Sequence, residues 1–75
     1  MEHIKRVTAL IEREGTGYVA LCPEFDIASQ GDSIEDARQN LSEALGLFFE
    51  TTSDAEVKER YRPEVYVTQL DVKVG

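Results

Sequence analysis

Carboxylates are the first chemistry to consider in this chain, because 15 acidic residues stand against eight basic ones. Two-metal phosphoryl hydrolysis needs several of them converging on a metal pair about 4 Å apart. Asp36, Glu43 and Glu50 recur at a spacing of seven, which places them on one polar helix face. Glu12 and Asp71 fall on expected strands with no acidic cluster around them, so a carboxylate metal site is not expected. His3 is the only histidine and Cys22 the only cysteine. No motif joins either of them to a nucleophile–base pair, a zinc site needs more ligands, and an internal disulfide is impossible. Cys22 reads as a small buried apolar residue, with a reactive thiol as the weaker alternative. Gly15-Thr16-Gly17 lacks the longer glycine pattern of a phosphate loop. The sequence therefore predicts no catalytic, cofactor-binding or metal-ligating residues: a binding protein and not an enzyme.

The charge balance narrows the partners. A net charge of −7 repels nucleic-acid phosphates, and no basic and aromatic residues interleave as base-stacking platforms do. Direct nucleic-acid binding is not expected; a basic protein surface would be attracted and would associate faster. No signal peptide and no apolar run of membrane-spanning length are present. With a lone cysteine that suits a reducing compartment, the expectation is a cytoplasmic protein without membrane contact.

The elements that must position any binding surface follow from periodicity. Residues 1–75 make one domain. From His3 to Glu12 apolar and β-branched residues occupy both parities, which predicts a strand buried on both faces. Glu14 to Gly17 reads as a hairpin turn, and Tyr18 to Cys22 as the return strand, ended by Pro23. Pro23, Glu24, Phe25 and Asp26 form the next connection, expected to display two carboxylates beside an aromatic. It is either a contact surface or a plain exposed turn. Ile27 to Gln30 fits a short third strand, and Gly31 gives the backbone freedom to turn.

Asp32 and Ser33 compete to cap the helix that follows. Ser33 is favoured, because Glu35 and Asp36 then lie beside the positive end of the helix dipole. Ile34, Ala37, Leu41, Ala44, Leu45 and Phe48 form its apolar stripe, with an end near Glu50 to Thr52. Gly46, unusual inside a helix, suggests close packing against a neighbouring backbone. Ser53 to Arg62 reads as a charged loop with room for one helical turn. After Pro63, residues 64–74 carry the highest β propensity in the chain. The expected fold is α+β with β-β-β-α-β order: a single mixed sheet, one helix on one face, and the last strand parallel to the first. The other face needs a partner, which predicts a homodimer or higher homo-oligomer.

Pro23-Glu24-Phe25, then Ser29-Gln30-Gly31-Asp32-Ser33, Glu35-Asp36-Ala37 and Asn40-Leu41-Ser42-Glu43-Ala44-Leu45 together resemble the HicB-like family, the antitoxin half of HicA–HicB toxin–antitoxin pairs. The resemblance covers nearly half of the chain directly. It implies a partial ribonuclease H-like fold without nuclease activity, and a protein that binds and occludes a small basic HicA-like toxin that cleaves mRNA. It implies self-association through the sheet as well. Many family members add a C-terminal helix-turn-helix or ribbon-helix-helix segment, and this chain stops at Gly75 after the last expected strand. DNA binding by this polypeptide alone is therefore not expected. The alternative reading is a stand-alone oligomeric domain that binds a small molecule or serves as a scaffold.

Overall fold

A computed structural model describes residues 5–75. Three strands, β1 (Leu10–Glu14), β2 (Gly17–Cys22) and β3 (Ile27–Gly31), precede a long helix, α1 (Ile34–Thr51), and a short one, α2 (Asp54–Arg60). The fold is a small α+β structure of β-β-β-α order, as periodicity predicted. The sheet is antiparallel throughout, in the order β1-β2-β3.

Local chemistry explains the turns. Gly15 and Thr16 form a two-residue hairpin loop between the paired Glu14 and Gly17. Gly15 lies at φ 62, the first central position where such loops favour glycine. Four residues, Pro23 to Asp26, join β2 to β3 between the paired Cys22 and Ile27. Asp26 closes that loop at φ 55, a left-handed conformation that aspartate tolerates better than most residues.

Gly31 turns out to serve a different purpose from the backbone freedom expected of it. A Cβ there would stand 2.5 Å from the Ala37 nitrogen and 2.7 Å from the Asp36 carbonyl carbon. The missing side chain lets α1 begin directly against the end of β3. Ser33 is the N-cap, its Oγ accepting from the Asp36 N–H at 3.0 Å. One turn further, Asn40 Nδ2 donates to the Gln30 carbonyl at 2.8 Å and ties the helix to β3. Ala37, Leu41 and Leu45 are buried against Ala20, Cys22 and Phe25, with Ile11, Tyr18 and Ile27 packed beside them. Ile34, counted on the same stripe, begins the helix and remains half exposed. Gly46 faces open space and makes no close backbone contact.

Two expected strands differ from what forms. The first is paired only from Leu10, because the Thr8 N–H is taken by the Glu24 side chain and not by a neighbouring strand. His3 and Ile4, at its expected start, lie outside the described residues. The fourth strand does not join the sheet: residues 61–75 pair with no strand and make no turn or bend. The expected mixed sheet, with a last strand parallel to the first, is thus corrected to a three-stranded antiparallel one. Beyond Pro63 every residue except the half-buried Val65 is exposed. The charged segment 53–62, expected as a loop with room for one helical turn, holds the seven-residue α2, capped by Ser53 accepting from the Glu56 N–H at 3.2 Å. The Ser-x-x-Glu pattern of a capping box is the signal that could have revealed it.

Candidate functional site

The Pro23–Asp26 connection is a structural junction before it is a surface. Glu24 is only 8% exposed and Phe25 only 1%, so the expected display of two carboxylates beside an aromatic is corrected. Only Asp26 is exposed, and Pro23 is half-buried. The Glu24 carboxylate turns inward because donors wait there. It accepts from the Thr8 N–H at 3.0 Å and from the Thr8 hydroxyl at 2.7 Å. The Cys22 thiol lies 3.5 Å from Oε1 as a weaker donor. Burial by itself would push this carboxyl up; the Thr8 donors stabilise the anion more and hold it below its ordinary 4.5. Cys22 is fully buried and free. Its thiol is pushed up from 9.0, first by burial and then by the neighbouring Glu24, so it stays neutral and poorly nucleophilic.

Phe25 centres an aromatic cluster. Its ring stacks on Tyr61 at 5.1 Å between centroids and meets Phe49 edge-on at 5.1 Å and Phe48 at 5.5 Å. The backbone of the same turn clamps the C-terminal half. Arg60 Nη2 donates to the Phe25 carbonyl at 2.9 Å, and the Arg62 N–H to the Glu24 carbonyl at 2.8 Å. The Pro-acidic-aromatic motif thus joins the segment before β1, the end of α1 and the exit of α2 at one place. Thr8, Arg60 and Tyr61 escaped the sequence reading, since nothing local in their sequence marks a contact that long-range packing creates.

Ser33 caps the helix as expected and Asp32 does not, while Gly31 contributes close packing against α1. Glu35, Asp36, Glu43 and Glu50 on α1 and Asp26 at the loop face solvent, as do acids elsewhere on the described surface, among them Glu12, Glu14, Asp32 and Glu59. Gln39 Nε2 donates to Glu43 at 3.2 Å along α1. Several cations are engaged elsewhere: Arg13 on Tyr18, Lys5 over Tyr61, and Arg60 over Phe48. The arrangement suits a surface that accepts hydrogen bonds and positive charge. Among the described residues no group of three His, Cys, Asp or Glu side chains could hold a metal ion. No helix among them is long and apolar enough to cross a membrane.

No protein-family profile and no solved structure matches the chain. It is similar to the UPF0150 protein ssr1765 of Synechocystis sp., with 42% identity over 52 residues. That match covers 67% of this chain, which spans 66% of the relative's length. The protein is thus a homologue of a UPF0150 protein, built on a three-stranded sheet whose central turn is its structural hub.

Proposed function

We propose that this protein is an antitoxin-like binding protein that neutralises a small basic HicA-type toxin by covering its RNA-cleaving site. The observation that carries the reading is the Pro23 to Leu45 motif series and its resemblance to HicB-like antitoxins. The exposed acids of α1 support it physically. A site built to hold RNA phosphates presents positive charge and donors, and carboxylates are acceptable occupants of such a site. The buried Glu24 and Phe25 take no part in contact; they hold the surface in shape, and the contacting groups are Asp26, Asp36, Glu43 and Glu50. The compartment proposed is the cytoplasm, where the toxin's substrate is found.

The test is a titration of the purified protein with a HicA-type toxin, read both as binding and as protection of RNA from cleavage. Tight binding that weakens steeply between 50 mM and 500 mM salt is expected, since opposite charges meet at the interface. Asp36→Lys/Glu43→Lys in one chain should weaken binding at least about tenfold while leaving the helical signal intact. Unchanged cleavage in the presence of excess protein overturns the reading. A small molecule co-purifying with the chain would favour the stand-alone ligand-binding alternative.

A further inference from the structure

The C-terminal segment is built as a strand yet has no sheet. In residues 64–74 the even positions after Glu64 are Tyr66, Thr68, Leu70, Val72 and Val74, and the odd ones, apolar at Val65 and Val67, turn polar at Gln69, Asp71 and Lys73. That is the pattern of a half-buried strand. Tyr66, Leu70 and Val74 are 82%, 75% and 86% exposed, so the apolar face that should be covered is open to water. The radius of gyration, 14.6 Å, exceeds the roughly 11 Å of a compact chain of this length. The extent of 52 Å along the longest axis fits a segment that leaves the body.

The body offers a matching vacancy. β1 is an edge strand whose outer side pairs with nothing among the described residues. α1 lies mainly over β3 and β2 and only touches β1. Two adjoining grooves of about 240 and 660 Å³ run between α1 and the segment leading into β1, sharing Val7, Ser42 and Leu45. Leu41 and Phe49 add to the apolar part of the lining, beside Arg38 and Gln39 in the smaller groove and Lys5, Asp54 and Lys58 in the larger. The opposite sheet face also presents Leu10, Val19, Leu21 and Ala28 without cover.

We propose that residues 64–74 of one copy fill the β1-side groove of a second copy, adding a strand to its sheet, and that the exchange is reciprocal. The occupant is a second copy because the segment is held away from its own body. It leaves from Glu24, where the Arg62 N–H is bonded, and Pro63 keeps Arg62 extended. From there to Val74 it contains no glycine or asparagine and bends nowhere, so nothing in it reverses the chain. A two-fold arrangement in which each copy receives the other's strand satisfies both ladders and both apolar faces with one contact type. This inference rests on the segment and the groove alone, and not on the toxin reading.

Sedimentation equilibrium of the full chain, paired with residue-resolved amide hydrogen exchange, tests it. A dimer is expected at micromolar concentration, with the amides of residues 65–74 protected. Leu70→Lys/Val72→Lys should raise the dimer dissociation constant by about 100-fold or more. Both side chains are exposed in the single chain, so its helical signal should persist; if that variant unfolds, amide protection in the unmodified chain decides. A sample mixing isotope-labelled and unlabelled chains should show contacts between Leu70 or Val72 and Val7 that cross between chains. A monomer, with or without a protected segment, overturns the inference, as does a dimer whose segment exchanges freely. Raising salt should hold or tighten this dimer of like-charged chains while it loosens a complex with a basic toxin, so failure of either reading is visible separately.

Discussion

The carboxylate of Glu24 is bonded by Thr8, sixteen residues earlier in the chain, through both its backbone N–H at 3.0 Å and its hydroxyl at 2.7 Å. One side chain thereby replaces a strand partner for the segment entering β1. Charge-assisted bonds of this kind are worth about 1.5–3 kcal/mol each when buried, and a buried carboxylate without them would be costly.

Glu24→Gln should therefore lower stability by about 1–3 kcal/mol, measured by urea unfolding at neutral pH. The pH dependence has a definite sign. Because the folded carboxyl is held below its ordinary 4.5, its contribution is complete above that pH and is lost as pH falls through the folded value. The gap between the parent protein and the Gln variant should accordingly narrow on acidification below about 4.5. A gap that stays constant between pH 7 and pH 3 would show that the charge contributes nothing.

Phe25→Ala should cost about 3–5 kcal/mol, enough to unfold much of so small a domain. Tyr61→Ala should be milder and should loosen α2 from the Phe25 turn on which Tyr61 stacks. Amide exchange would then show faster opening in Asp54–Arg60 than in α1.

Capping offers a sharper comparison between neighbours. Ser33→Ala removes the acceptor for the Asp36 N–H and should cost about 1 kcal/mol, whereas Asp32→Ala should stay within about 0.5 kcal/mol. Thermal unfolding of the two variants side by side measures the difference. Equal losses would mean that Asp32 shares the cap.

The two interior glycines should behave oppositely. Gly31→Ala drives a Cβ into the α1 backbone and should destabilise by about 1–3 kcal/mol or prevent folding. Gly46→Ala meets open space inside a helix and should stabilise by about 0.5–1 kcal/mol, as judged by the urea midpoint.

These contrasts show how far the sequence could be read. The hairpin at Gly15, the stop at Pro23, the Ser33 cap and the Ala37–Leu41–Leu45 stripe were all legible, because each depends on residues within a few positions of one another. The same holds for Cys22, whose burial follows from its place on an apolar strand. Ser53 and Glu56 carry a readable signal for α2 as well, although the segment's charge suggests a loop with no more than one helical turn.

Local pattern could not settle which side of the Pro23–Asp26 turn faces inward. Acidic residues in a loop are ordinarily solvated, and Glu24 is buried only because Thr8 supplies donors from sixteen residues away. Phe25 is buried because Phe48 and Phe49 arrive from α1 and Tyr61 from the end of α2. The last segment marks the boundary most clearly. Its residues determine by themselves that 64–74 is a strand former, through the β-branched and aromatic side chains on both parities. Whether a strand former becomes a strand depends on reaching free backbone groups, and only the tertiary structure shows that this segment pairs with neither open edge of its own sheet.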